Sequence, residues 1–231
     1  MTSNLSKRNG LLPLLGMLIL VAAGCEASVP ETLNTVSAPS NEPATIQTQQ
    51  ATPPSGFKGK VKFKDGDGIT RFSVKPMDDG AKIVDAEEKE LARLNVKSTK
   101  MKIKDPNDNV LGYVVGSQGR YKIKNADQSK DLWKLQRQDD GDWKLEDGND
   151  SLMYKIKKRD YGFEIESASE KSLFKVKLKD GKTSLRNSSD ATVYYTKDSV
   201  LTGSVACLGF EAIKSREIRV ALMTMICILE K

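Results

Sequence analysis

The side chains able to do chemistry are few, and their types narrow the field before any fold is considered. The 231-residue chain has no histidine and three cysteines, Cys25, Cys207 and Cys227. Without imidazole the commonest general base and the commonest zinc ligand are missing, and no Ser-His-Asp or Cys-His arrangement can form. Acidic segments offer a second candidate. Asp65-Gly66-Asp67-Gly68-Ile69 supplies the first two ligand positions of a calcium loop, but Ile69 replaces the third and no suitably placed Gly and Glu complete it. Asp105-Pro106-Asn107-Asp108-Asn109 starts with the right alternation and fails at Val110 and Gly116. Both read as turns. Spacing singles out no pair of carboxylates for glycosidase-type acid and base work, and the chain has no phosphate-cradling glycine loop. No catalytic, cofactor-binding or metal-ligating residue is assigned, and no cofactor is expected.

Lysine is the remaining chemistry. Lys58, Lys60, Lys62 and Lys64 alternate along one strand face, and Lys155, Lys157, Lys158 and Arg159 crowd the end of another. Beside an acidic membrane each such charge contributes on the order of 1 kcal/mol, so these eight are the candidate contacts to an anionic surface. The competing reading is that lysines populate wet strand faces and guard strand edges. Trp133, Trp143, Tyr154, Tyr161 and Phe163 read as core or cross-strand pairs rather than a ligand platform.

The elements that must position these groups are β-strands. Lys60-Val61-Lys62-Phe63-Lys64, Met101-Lys102-Ile103-Lys104, Tyr121-Lys122-Ile123-Lys124, Tyr154-Lys155-Ile156-Lys157 and Leu173-Phe174-Lys175-Val176-Lys177-Leu178 alternate apolar and charged residues, the period that puts one set inward. Between them lie turn residues such as Asp79-Gly80, Asp140-Gly141-Asp142, Asp147-Gly148 and Asp180-Gly181, which supply the positive φ of tight hairpins. The spacing predicts a mainly β domain: about 10–12 short strands in hairpin order, antiparallel, closed into a barrel or strongly curved. No exact repeat period is read across the turns, which disfavours a propeller or solenoid.

Two segments depart from this pattern. At the N-terminus, Lys7-Arg8 precede an apolar run of about 13 residues from Leu11 to Ala23, ending Ala22-Ala23-Gly24-Cys25. That run is shorter than the roughly 20 residues needed to span a bilayer, so it reads as a targeting segment. It resembles the lipobox of bacterial lipoproteins. The resemblance implies cleavage before Cys25, acylation of its thiol with a diacylglycerol, and export with anchoring through lipid at Cys25; Glu26, rather than Asp, favours the outer membrane over the inner. An ordinary signal peptide with Cys25 incidental is the alternative. The organisation is then residues 1–24 as signal peptide, 25–56 as a lipidated cysteine with a Ser/Thr/Pro/Gln-rich disordered tether, and 57–231 as one β-rich domain. Removing Lys7 and Arg8 lowers the formal charge from +6 to +4, a mild excess that argues for no nucleic-acid partner.

At the C-terminus, residues 200–230 carry apolar runs at helical spacing, with Ser215 as N-cap and Glu217 behind it. Ile218 to Leu229 is interrupted by polar side chains only at Arg219 and Thr224. A helix apolar all round must be enclosed, and this one is too short to span a membrane, so it is expected in the core. Cys207 and Cys227 on one continuous helix would stand about 30 Å apart, beyond disulfide reach. A bend near Lys214-Ser215 leaves a disulfide open beside the reading of two buried thiols.

A strand-rich body ending in an apolar helix resembles the tubby and LURP-one-related architecture shared with phospholipid scramblases. There a roughly twelve-stranded barrel closes around a hydrophobic C-terminal helix. The resemblance spans about Phe57 to Lys231 and includes the hairpin from Leu132-Trp133-Lys134-Leu135 to Trp143-Lys144-Leu145. A lipocalin-like barrel with its helix outside is the alternative. The functional expectation is a lipid-anchored envelope protein whose non-enzymatic barrel contacts anionic lipid, a cell-wall polymer or a protein. Scramblase-like lipid handling, or a histidine-free enzyme using carboxylates, are the other readings.

Overall fold

A computed structural model describes Gly56–Glu230; the leader, Cys25 and the tether lie outside the described residues. The chain runs as β1 (Val61–Lys64), β2 (Thr70–Met77), β3 (Gly80–Val84), β4 (Glu90–Lys97) and β5 (Lys100–Lys104). There follow β6 (Val110–Ser117), β7 (Arg120–Lys124), β8 (Asp131–Arg137), β9 (Trp143–Asp147) and β10 (Leu152–Arg159). The sheet finishes with β11 (Gly162–Ser167), β12 (Ser172–Lys179), β13 (Lys182–Asn187) and β14 (Thr192–Thr196). Every strand pairs antiparallel with its sequence neighbours, and β1 meets β14 to close a fourteen-stranded barrel. The closing seam is short: its one register pair is Lys64 with Tyr195, and the Lys62 amide donates to Asp198 Oδ2 at 2.7 Å. The mainly β, closed antiparallel barrel is as the alternation requires, with fourteen strands instead of ten to twelve. Weakly alternating segments such as Gly80–Val84 and Lys182–Asn187 are full members of the sheet.

A repeat underlies this order, where the sequence reading finds no exact period. The buried residues Phe63, Ile83, Ile103, Ile123, Leu145, Ile165 and Leu185 recur every 20 residues, with one step of 22. Two positions after each stands Asp65, Asp85, Asp105, Asn125, Asp147, Ser167 or Asn187. Each of these seven donates its amide to the carbonyl at the far side of the turn and accepts, through its own carbonyl, from the residue three further on. That third residue is Gly68, Glu88, Asp108, Gln128, Asp150, Glu170 or Asp190, each at positive φ. The side chain completes the turn, as when Asp105 Oδ1 accepts from the amides of Asn107 and Asn109 at 2.9 and 2.8 Å. The step of 22 spans β8, flanked by the longer connections Asn125–Lys130 and Gln138–Asp142.

All seven of these turns lie at one end of the barrel, the turn end. The opposite, tip end carries the hairpins β2–β3, β4–β5 and so on to β12–β13, together with Gly56, where the chain enters. Most tips are two-residue hairpins with little room. A Cβ on Gly80 would stand 1.9 Å from the Leu94 carbonyl oxygen, at φ 151°.

Fourteen strands enclose more space than strand side chains fill: eight suffice for a packed lumen, and sixteen leave a channel. The C-terminal segment fills it. A 3-10 helix, Thr202–Gly209, enters from the tip end, the chain turns at Phe210–Ser215, and α1 (Arg216–Leu229) returns. Val220 to Cys227 are all buried. Ser215 caps α1, its Oγ accepting from the Ile218 amide at 3.2 Å. The two interruptions in the apolar run bond within the plug: Thr224 Oγ1 donates to the Val220 carbonyl, and an Arg219 guanidinium nitrogen donates to the Leu208 carbonyl at 2.7 Å, while Arg219 Nε is buried without a partner. No described helix is long and apolar enough to cross a membrane.

Candidate functional site

The eight cations singled out in the sequence are not brought together. The β1 group and the β10 group stand five strand positions apart around the wall. Four of the eight are ion-paired: Lys60 with Glu88, Lys155 with Glu170, Lys157 with Glu166, and Arg159 with Glu164 and Glu166. These pairs belong largely to the repeat. Glu88, Asp108, Asp150, Glu170 and Asp190, positive-φ turn residues, each receive a cation from a neighbouring strand, respectively Lys75, Arg93, Lys134, Lys155 and Lys177, and Glu88 receives a second from Lys60, just before β1. Two lysines hold the Glu88 carboxyl down at about 2, chiefly through the hydrogen bond from Lys60. The lysines between strands therefore tie turns to walls; partners 13 or more residues away are invisible to local sequence reading.

Lys58, Lys62, Lys64 and Lys158 join no ion pair among the described residues. Lys62 and Lys64 lie on the outer face of β1, opposite to buried Phe63. Lys58 precedes β1 at the tip end, and Lys158, sharing a face with buried Ile156, turns inward at the rim.

The tip end holds two further lysine pairs that sequence reasoning missed. Lys97 lies directly across from Lys100, flanking Ser98-Thr99, and Lys179 lies across from Lys182, flanking Asp180-Gly181. Like charges opposite one another destabilise a hairpin, and none of the four has a carboxylate partner among the described residues. Lys100 and Lys182 instead rest on tyrosine rings, Tyr113 at 4.7 Å and Tyr195 at 4.9 Å from the centroid. Asp180 offsets one charge at the second tip. The seven segments of the turn end contain twelve carboxylate residues and three lysines, whereas the seven carboxylates of the tip connections, Asp78, Asp79, Asp139, Asp140, Asp142, Asp160 and Asp180, are matched in number by the seven cations that flank those connections, so the turn end is the more acidic of the two. The signal for the lysine pairs was present as Lys-x-x-Lys around a two-residue turn, but its meaning depends on register.

The tip end also opens into a cavity of about 350 Å³. Its wall is the inward face of β8 to β11, and its floor is the 3-10 helix and the last turn of α1. Beside it Glu230 is hydrogen bonded by the Gly119 amide at 2.5 Å, the Tyr121 hydroxyl at 2.8 Å and an Arg137 guanidinium nitrogen at 2.9 Å. Burial, and then the Glu230 carboxylate, push the Tyr121 phenol far above its usual range. Cys207 and Cys227 are free and buried, and burial raises both thiols. Ser204 Oγ lies 3.2 Å from Cys227 Sγ. No cluster of three metal-ligating side chains occurs among the described residues. Asp65 and Asp105, the calcium-loop candidates, spend one carboxylate oxygen each on two backbone amides.

These features define a helix-filled, closed antiparallel barrel that is more acidic at its turn end. No protein-family model matches the chain, and no curated protein matches it. Among solved structures, the X-ray structure of a protein from Arabidopsis thaliana is similar at 9% identity and a TM-score of 0.35, over 70% of this chain and 96% of that one.

Proposed function

We propose that this is a lipid-anchored envelope protein whose barrel is a non-enzymatic binding body, held tip end first against an anionic membrane. The observation that carries this reading is the two hairpin tips whose facing lysines, Lys97–Lys100 and Lys179–Lys182, join no ion pair among the described residues, at the same end as Gly56, where the tether joins the barrel. A lipid at Cys25 brings that end to the surface, and the acidic turn end then points away. Lys58 and Lys158 add to the same rim. Four to six such contacts, at about 1 kcal/mol each near an acidic surface, orient a body that its lipid already retains.

The order of elements, a barrel followed by a helix buried within it, supports the likeness to the tubby, LURP-one-related and scramblase architecture over a lipocalin, whose helix lies outside. The filled lumen favours surface binding over movement of lipid through the barrel. Labelled palmitate is expected in the full chain and absent from a Cys25→Ser form; label retained in that form rejects the anchor. The leaderless chain, residues 25–231 with Cys25→Ser, is expected to sediment with vesicles containing anionic lipid at low salt and to be released as salt rises. Absence of sedimentation at low salt rejects the surface contact.

A further inference from the structure

The cavity at the tip end exists because the two plugging helices do not span the lumen. Helix α1 packs chiefly on β4, β5 and β6, and the 3-10 helix on β11, β12 and β13. The sector of β8, β9 and β10 is left without a partner toward the mouth. Below its charged rim the inward residues there are apolar: Leu135, Trp143 and Ile156 on β8 to β10, with Phe163, Phe210 and Ile226. At ~30 Å³ per water-sized group, a volume of about 350 Å³ takes roughly a dozen heavy atoms. A single alkyl chain of medium length fits that space, and a two-chain phospholipid does not.

Three charged side chains line the cavity: Arg137, Glu230 and Lys158. Arg137 and Glu230 neutralise each other at 2.9 Å. Lys158 is the last inward residue of β10, its stem beside Gly141 at the mouth, and its ammonium group has no carboxylate partner among the described residues. The Asp142 carboxylate at the same mouth accepts from the Lys158 backbone amide at 2.7 Å, so the Lys158 ammonium stays unpaired over an apolar slot, complementary to an amphiphile whose single negative charge stays at the rim. We infer that the cavity binds a medium-chain carboxylate, alkyl tail between β8–β11 and the 3-10 helix, head group at Lys158. This goes beyond the membrane contact proposed above and requires neither lipid at Cys25 nor a vesicle; Lys158 is the one residue common to both.

The chain's two tryptophans, Trp133 and Trp143, allow a direct test, since only Trp143 lines the cavity. In the leaderless Cys25→Ser chain carrying Trp133→Phe, 12-bromododecanoate below its micellar concentration is expected to quench emission saturably. In the chain carrying Trp143→Phe it is expected to leave emission unchanged. Lys158→Gln is expected to weaken dodecanoate about fivefold, the size of one exposed ion pair, and to leave dodecanol binding as it was. Thr202→Phe, at the mouth and half-buried, is expected to abolish quenching while the strand circular dichroism is retained. Ala206→Leu, on the floor, gives the same reading should Thr202→Phe not fold. No saturable quenching, equal quenching of Trp133, or undiminished binding in a folded blocked variant overturns the inference.

Discussion

At the scale of single residues, Glu230 carries more than its place after α1 suggests. Its carboxylate ties the end of α1 to Gly119, Tyr121 and Arg137, joining the plug to β7 and β8. Glu230→Gln keeps an acceptor but removes the charge, and is expected to cost about 1.5–3 kcal/mol in urea unfolding, the range for hydrogen bonds to a charged group. The Tyr121 phenol, now held up by burial and by that carboxylate, should titrate lower in the same variant, read by tyrosinate absorbance. Unchanged stability and an unchanged tyrosine titration would contradict the tie. Little of this was legible in the sequence, because Glu230 and Gly119 are joined only by the closing of the barrel. Ser215 was legible: a cap acts within three residues of itself, and the expected contact with Ile218 is present. Lys60 and Lys155 were legible as outward-facing and illegible as ion-paired, since alternation fixes a face but says nothing of what stands across the next turn.

At the scale of elements, the strands were read from alternation and the turns from Asp-Gly pairs, both local signals. The 20-residue repeat was not, and the reason lies in the chemistry of the turn. Asp, Asn and Ser all place an oxygen where the following amides can reach it, and Gly, Glu, Asp and Gln all occupy the positive-φ position here. The geometry therefore recurs while residue identity drifts, and a search for repeated letters passes over it. The helix was legible as buried because it lacks a polar face, and the closed sheet supplies the reason it is needed. Deleting residues 216–231 should leave an apolar lumen open to water, and the truncated chain is expected to lose its cooperative thermal transition by circular dichroism. A truncation that stays soluble and melts cooperatively would show that α1 is not the core of the barrel.

At the scale of the whole molecule, the turn end of the barrel is more acidic than the tip end. Several carboxylates of the turn end are held in their ionised form: Asn109 lowers Asp105, Ser129 lowers Asp127, and Lys60 with Lys75 lowers Glu88 to about 2. A group lowered on folding binds fewer protons in the folded state, so it stabilises the fold above the ordinary carboxylate range and loses that contribution as pH falls through the folded value. Stability toward urea is accordingly expected to drop between about pH 4.5 and pH 2, with Glu88→Gln making the drop shallower; a flat profile over that window would contradict the role of these turns. The other end carries the function proposed here, and one comparison tests it most directly. The leaderless Cys25→Ser chain is sedimented with anionic vesicles at low salt in two variants, one with Lys97, Lys100, Lys179 and Lys182 changed to Gln, the other with Lys62, Lys64, Lys102 and Lys175 changed to Gln on the flanks. The tip variant should lose most of its binding while the equally discharged flank variant keeps it. Equal loss in both, or greater loss in the flank variant, would mean that the barrel does not meet the membrane tip end first.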